Sequence, residues 1–225
     1  MFQIIHQQSA QILTVVVITI ILNLILKPVA QKALLVDKPN ARKTHQGVIP
    51  LIGGISIFLA CSLSLFVFGD MRSQDLLPMI FASGLFLLLG ILDDKLDINA
   101  SVKLLAQITI SFLFVASTGF QISNFSSLLG ATYSFELGFL SLPFTILAIV
   151  GLTNAFNMID GCDGLATTLA VLAILALLYL GSSDFELSTQ TFLLMLVASM
   201  LTFLLFNFSN NSKFKVFLGN SGSLF

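Results

Sequence analysis

The chain has 225 residues, of which 56% are hydrophobic and 9% charged, with a formal net charge of −1 and a mean hydropathy of +1.01. A soluble domain carries about 25% charged residues, so this composition excludes one. The two cysteines, Cys61 in an apolar run and Cys162 between two aspartates, do not suggest a disulfide framework, and no Cys/His cluster has the spacing of a zinc site. The composition therefore predicts an integral membrane protein.

Apolar runs that approach or reach the length of a membrane helix, about 20 residues, recur along the chain. The predicted spans are 10–26, 48–68, 76–92, 102–115, 139–152, 165–180 and 191–208. The first is expected to be uncleaved, because the positive charges Lys27 and Lys32 follow it, whereas those of a signal peptide precede the apolar run. Residues 119–138 read as a loop or hairpin. The sequence predicts an all-α bundle of about seven transmembrane helices, forming one domain over residues 1–225.

The distribution of Lys and Arg predicts the orientation of these spans. With seven spans, one side of the membrane receives nine of the ten basic residues and the other side receives Arg72 alone. The nine are Lys27, Lys32, Lys38, Arg42, Lys43, Lys95, Lys103, Lys213 and Lys215. Because basic loops are retained in the cytoplasm, the N-terminus is predicted to be outside and the C-terminus cytoplasmic.

Between the fifth and sixth spans, Asn154, Asn157, Asp160 and Asp163 follow one another at a spacing of three. Glycines at 161 and 164 predict that the helix loosens there, so that backbone and carboxylates can approach a ligand. Oxygen ligands at this density suit Mg²⁺, which takes one or two carboxylates together with water and substrate phosphates. A simple polar connector between helices is the structural alternative, although carboxylates beside a membrane core are costly and usually functional.

The third span ends in a second acidic group, Asp93 and Asp94, on the same predicted side of the membrane. In a helix, adjacent side chains point about 100° apart, so the two carboxylates are expected to divide the work. One would bind metal and the other would act as a base or nucleophile, whereas a helix cap or solvated turn is the structural alternative. Two acidic groups and many cations at one membrane surface favour a phosphorylated substrate.

Five segments carry a resemblance to a known family. They are DKPNARKTH (37–45), IPLIGG (49–54), GILDDKLD (90–97), NAFNMIDGCDGL (154–165) and KVFLG (215–219). In this order and spacing, the chain resembles the polyprenyl-phosphate N-acetylhexosamine-1-phosphate transferases, in particular the bacterial undecaprenyl-phosphate GlcNAc-1-phosphate transferases. The resemblance covers essentially the whole chain and about the first two thirds of a typical family member.

The resemblance implies Mg²⁺-dependent transfer of an N-acetylhexosamine 1-phosphate from a UDP-sugar to undecaprenyl phosphate, with release of UMP. GlcNAc is the favoured sugar, and Mn²⁺ is an alternative ion. The implied location is the bacterial inner membrane, with the active site on its cytoplasmic face and the product starting a surface polysaccharide. The expected partners are the two substrates and the lipid bilayer, without nucleic acid; a homodimer is left open.

The same resemblance assigns roles to individual residues of this chain. Asp93 and Asp94 match the family's catalytic aspartate pair, and Asp160 and Asp163 match its second acidic motif. Matches to substrate-binding positions are Asn154, Asn157, Arg42, Lys43 and His45. Matches to metal ligands are Asp93, Asp94, Asp160 and Asn220. For the three basic-loop residues, a solvated loop that only fixes the topology is an equal alternative.

Two departures from the family pattern bear on activity. Residues 219–223 read GNSGS where the family reads G-D-x-G-S, so Asn220 replaces an aspartate implicated in metal binding. The chain also lacks the later spans and the His-rich loop of the family, its C-terminal third. It is therefore expected to transfer sugar phosphate poorly by itself, and a non-catalytic remnant or binding protein of the same fold is one alternative. A transporter is another, but its acids would lie near span centres.

Overall fold

The computed structural model describes residues 8–37, 47–68, 76–125, 135–181 and 185–225. The helices in these ranges are α1 (Ser9–Lys32), α2 (Gly53–Phe68), α3 (Leu76–Leu96), α4 (Ala100–Thr118), α5 (Ser141–Ile159), α6 (Leu165–Leu180), α7 (Leu187–Asn207) and α8 (Asn220–Ser223). A 3₁₀ turn, Gly138–Leu140, precedes α5, and two short strands, β1 (Val36–Asp37) and β2 (Ile49–Pro50), follow α1. The predicted all-α class is confirmed.

Five helices within the described ranges are long and apolar enough to cross a membrane, judged by length and composition alone: α1, α3, α4, α7, and α5 together with its preceding turn. The other two predicted spans, α2 and α6, form apolar helices of 16 residues each, about 24 Å long. Large apolar side chains face outward, including Phe139 at 89% and Leu205 at 73% exposure. Such a surface suits lipid and would be unfavourable in water.

Contacts between neighbouring helices form a closed ring. Each of α2 to α6 packs on the next helix along the chain, and α7 completes the ring by packing on both α6 and α2. Helix α1 lies against α2 and α7. The short helix α8 packs on α2, α3 and α5, so residues 219–223, called here the C-terminal turn, lie within the ring. The turn thereby joins elements that are far apart in sequence.

Glycines create the space for the C-terminal turn. A Cβ at Gly54 would overlap the backbone of Gly222, and one at Gly90 would overlap the backbone of Asn220 and Ser221. The turn itself begins at Gly219, whose φ of +77° favours glycine. The absence of side chains at Gly54 on α2 and Gly90 on α3 therefore lets the backbone of residues 219–223 approach both helices closely.

A short β-ribbon continues this arrangement outside the ring. Strands β1 and β2 are antiparallel, with Asp37 opposite Ile49. The segment before the C-terminal turn joins β2, because Phe217 N–H donates to the Pro50 carbonyl at 2.9 Å and Gly53 N–H donates to the Phe217 carbonyl at 2.9 Å. The ribbon thus places residues 37 and 215–218 beside the turn.

Helix α5 extends seven residues beyond the predicted end of the fifth span at 152, to Ile159. The helix then opens into a turn over 160–164, where Gly164 has a φ of +70°, before α6 begins at Leu165. The predicted loosening at the two glycines is confirmed. Asp160 and Asp163 consequently lie in the turn rather than on a helical face.

Candidate active site

A cavity of about 590 Å³ opens at one end of the bundle, where α3, α5 and α7 end and where the C-terminal turn lies. Four carboxylates line it, and Lys215 is the only Lys or Arg among its described lining residues. The carboxylates are Asp37, Asp94, Asp160 and Asp163. The structure therefore brings together, from two separate stretches of sequence, three of the four acids predicted to be catalytic.

Asp94 is held by the backbone of the C-terminal turn. Its two carboxylate oxygens accept hydrogen bonds from the Asn220 N–H at 3.0 Å and the Ser221 N–H at 3.2 Å. Backbone donors are rigid, so they fix the carboxylate relative to residue 220. This contact depends on the absence of a side chain at Gly90, one turn before Asp94 on α3.

Asp160 is half-buried and lies among other acids. Burial, together with the negative charges of Asp94 and Asp163, raises the pKa of its carboxyl group to about 7. Two effects that disfavour a carboxylate, desolvation and like charge, thus coincide at one residue. A bound cation would relieve both.

Asp163 forms an ion pair with Lys215, 2.6 Å from Oδ2 to Nζ. The carboxylate side chain is 43% exposed, and the ammonium also lies over the Phe217 ring, 5.6 Å from its centroid. Lys27, at the end of α1, donates to the carbonyls of Ser212 and Lys215 at 2.7 and 3.2 Å. These contacts hold a cation at the cavity wall in a position that water can reach.

Asp93 is turned away from the cavity. Its Oδ2 pairs with Lys103 Nζ at 2.6 Å, and the two side chains are only 9% and 14% exposed. The adjacent aspartates differ in their partners: a backbone turn for Asp94 and an ammonium for Asp93. The sequence singles out Lys103 only as one of the basic residues that predict the orientation of the spans.

The two asparagines of α5 have separate environments. Asn154 exchanges side-chain hydrogen bonds with Gln107 of α4, donating from Nδ2 to Oε1 at 2.7 Å and accepting from Nε2 at 3.4 Å. It is not among the residues that line the cavity. Asn157, one turn further, accepts from Lys103 Nζ at 3.3 Å and donates to Asn220 Oδ1 at 2.6 Å and to Ser223 Oγ at 2.8 Å.

The cavity is also lined by Asp37, Lys215 and Asn207, which are absent from the predicted site. In the sequence, Asp37 and Lys215 stand out only as parts of motifs, and Asn207 lies in the last turn of α7. Asn207 Nδ2 donates to the Val216 carbonyl at 3.0 Å, while its buried Oδ1 has no hydrogen-bond partner within the structure described. A lone asparagine at a predicted span end carries no sequence signal. The predicted residues Arg42, Lys43 and His45 lie outside the described residues.

The acidic residues suit Mg²⁺ better than an ion that needs a complete protein cage. Within the described ranges, no three His, Cys, Asp or Glu side chains are grouped as a metal site. Mg²⁺ is commonly held by one or two carboxylates plus water and phosphate oxygens. Asp94 and Asp160 provide two such carboxylates, and a cation would stabilise the charge of Asp160 against burial and the neighbouring acids. The residues present therefore fit this ion.

Residues 76–225, two thirds of the chain, match glycosyl transferase family 4. The chain belongs to this family. The match includes the elements α3 to α8 and every residue that lines the cavity except Asp37 and Leu51. Together with its apolar helices, this membership makes the chain a multi-pass membrane protein.

Curated relatives match all or nearly all of the length of this chain. It is 36% identical over 225 residues to a probable undecaprenyl-phosphate N-acetylglucosaminyl 1-phosphate transferase of Bacillus subtilis, covering 100% of this chain and 60% of the relative. It is 29% identical to the undecaprenyl-phosphate alpha-N-acetylglucosaminyl 1-phosphate transferases of Yersinia pestis and Escherichia coli K12, covering 96% of this chain and 59% and 58% of those proteins. The chain thus spans about 60% of the length of these relatives.

Proposed function

We propose that this chain carries the metal and diphosphate site of an enzyme that transfers N-acetylglucosamine 1-phosphate from its UDP-sugar to undecaprenyl phosphate. The observation that supports this most directly is the acidic cavity with one lysine, at one end of an apolar helix bundle of family 4. The choice of N-acetylglucosamine as the sugar and undecaprenyl phosphate as the lipid follows the names of the relatives.

In the proposed reaction, an oxygen of the lipid phosphate attacks the β-phosphorus of the UDP-sugar. A new P–O bond forms, the bond from this phosphorus to the bridging oxygen breaks, and UMP leaves with the electron pair. Asp94 and Asp160 would hold Mg²⁺, which would neutralise diphosphate oxygens and could be replaced by Mn²⁺. Lys215 is placed to bind a phosphate oxygen when it exchanges its exposed partner Asp163 for substrate.

We place this site at the cytoplasmic face of a bacterial inner membrane, with all seven helices α1 to α7 crossing it. In support, α1, α3, α5 and α7 end at the cavity end of the bundle, where α2, α4 and α6 begin, as seven alternating passes require. The distribution of Lys and Arg favours the cytoplasm for that end. A homodimer remains part of this proposal, and nucleic acid is not a proposed partner.

The test is release of UMP from UDP-GlcNAc by the purified chain with undecaprenyl phosphate and Mg²⁺. The same assay is run on the chain extended with the C-terminal third of a relative. Asp160→Asn is expected to reduce the rate by about 10²–10³ in whichever form is active, because one preorganised charge contact is removed. Glu186→Gln, an exposed carboxylate at the opposite end of the bundle, is the control. Equal rates for the Asp160 variant and the unmodified protein would refute the assignment of the site.

A binding protein of the same fold is the second candidate, favoured by the neutral Asn220 in place of the family's aspartate. It predicts binding of the nucleotide sugar without UMP release in either the short or the extended form. Turnover in either form at about 1 per second, an ordinary enzymatic rate, would exclude it.

A further inference from the structure

The side chain of Lys103 fixes the orientation of a neighbouring amide. Its ammonium is paired with Asp93, and both groups are largely buried. The same nitrogen lies 3.3 Å from Asn157 Oδ1. Because an ammonium has only donors, it must face the oxygen of the amide and not its NH₂ group. This rule sets the orientation even though the oxygen and nitrogen of an amide have nearly the same shape.

The orientation is passed on to Asn220. With its oxygen toward Lys103, Asn157 presents Nδ2 to the C-terminal turn, where it lies 2.6 Å from Asn220 Oδ1 and 2.8 Å from Ser223 Oγ. An NH₂ group can only donate, so the Asn220 atom that it meets must be the oxygen. One ammonium therefore orients two amides in series.

The remaining side-chain polar group of Asn220 is its NH₂ group. Asn220 lines the acidic cavity, and none of the described residues accepts a hydrogen bond from Nδ2. Its backbone N–H is used by Asp94 at 3.0 Å. Residue 220 thus has a side-chain donor left for a ligand, while its oxygen is already engaged.

We propose that Asn220 binds a phosphate oxygen of the substrate through Nδ2, and that the metal is held without residue 220. The proposal rests on the diphosphate chemistry of the proposed function and revises the metal role that the family pattern gives to this position. A neutral donor also suits the electrostatics: an aspartate at 220 would add to the four carboxylates that already line the cavity and would repel a diphosphate more strongly.

The two roles are separated by binding measurements on the whole chain in detergent. Mn²⁺ alone is titrated by electron paramagnetic resonance, and pyrophosphate is titrated by calorimetry in saturating Mg²⁺. In Asn220→Ala, the Mn²⁺ Kd is expected to stay within about twofold, whereas pyrophosphate binds about tenfold more weakly through loss of a charged hydrogen bond. Asn210→Ala, an exposed asparagine outside the cavity lining, is the matched control and should leave both constants unchanged.

Asn220→Asp provides a second test that keeps the shape of the side chain. It can still accept from Asn157 but loses the donor and gains charge, so Mn²⁺ should bind about tenfold more tightly and pyrophosphate more weakly. This variant decides the question if Asn220→Ala does not fold. A loss of Mn²⁺ affinity in Asn220→Ala with unchanged pyrophosphate binding would overturn the proposal, as would no pyrophosphate binding by the unmodified chain. If the pyrophosphate effect appears but no form of the protein releases UMP, the transferase assignment fails and this one stands.

Discussion

At the scale of single residues, two ion pairs of equal length differ in what they contribute. Lys103–Asp93 and Lys215–Asp163 both measure 2.6 Å, yet the carboxylates are 9% and 43% exposed. Removing one partner of a buried pair leaves a charge without compensation, whereas an exposed pair contributes little. The two pairs therefore form a natural comparison within one protein.

We expect Lys103→Met to destabilise the chain by about 3 kcal/mol, because Asp93 would be left unpaired and largely buried. Lys215→Met is the matched control, with an expected loss below about 1 kcal/mol because water replaces the ammonium at Asp163. Thermal unfolding in detergent would compare the two variants. Equal destabilisation would show that burial does not decide the contribution of these pairs.

Asp160 gives the metal-free chain a pH dependence of known sign. Its folded-state pKa is raised from 3.8 to about 7, so the folded state binds the proton more tightly than the unfolded state. Its contribution to stability is complete below the lower value and is lost as pH rises through the upper one. With a chelator present, the unfolding temperature of the unmodified chain should fall, relative to Asp160→Asn, between pH 4 and pH 7. A constant difference between the two proteins over this range would contradict the raised pKa.

Adding Mg²⁺ should reverse this effect near neutral pH, since the ion binds the deprotonated form. Stabilisation by Mg²⁺ is therefore expected to grow as pH rises toward 7 and to be small in Asp160→Asn. A Mg²⁺ response of the same size in both proteins would exclude Asp160 as a ligand.

At the scale of elements, the C-terminal turn depends on the absence of side chains on the helices around it. Gly90→Ala would place a methyl group in the backbone of residues 220 and 221. We expect it to displace the turn, weaken the Asp94 contacts and reduce Mn²⁺ affinity together with thermal stability. Gly151→Ala is the control, because a Cβ there meets no heavy atom within 4 Å and alanine favours a helix by about 0.5–1 kcal/mol.

The outcome that would contradict this view is a stable Gly90→Ala protein with unchanged Mn²⁺ binding. That result would mean that the turn adapts to the added methyl group without moving Asp94. The metal site would then be less rigid than the backbone hydrogen bonds indicate.

At the scale of the whole molecule, the topology can be tested with cysteines in two loops that are predicted to lie on opposite sides of the membrane. Native Cys162 is exposed in the 160–164 turn, and Cys61 is buried. Cys162 should react with an impermeant reagent only from the cytoplasmic side, whereas Ser183→Cys in a Cys162→Ser background should react only from outside. Labelling of residue 183 from the cytoplasm alone would invert the proposed orientation.

Hydropathy located the apolar helices because apolar length is a property of one segment. The second helix nevertheless begins at Gly53 and not at the predicted residue 48, because Ile49–Pro50 pair in β2. The sixth span, 165–180, matches α6 at both ends. The fifth was predicted too short, because Asn154 and Asn157 interrupt the apolar run, yet both are satisfied by side chains of α4. Partners across helices cannot be read from one segment, which is also why Lys103 and Gln107 were missed.

The candidate site shows the same division between local and distant information. Acidic spacing singled out Asp94 and Asp160, and the family pattern singled out residue 220. The orientation of the Asn220 amide, in contrast, depends on a sequence of contacts from α3 through α4 and α5. Such a property exists only after the helices have packed.

The position of the C-terminal turn inside the ring has a consequence for biosynthesis. Asp94 enters the membrane region early, but its backbone donor at residue 220 is made 126 residues later. Contacts of such long sequence separation form late in folding. Helices α2 to α6 can therefore insert one after another while the cavity is still open and its carboxylates are hydrated. A nascent chain would have no assembled metal site until the C-terminal turn had been synthesised. It could therefore not hold substrate for reaction before that point.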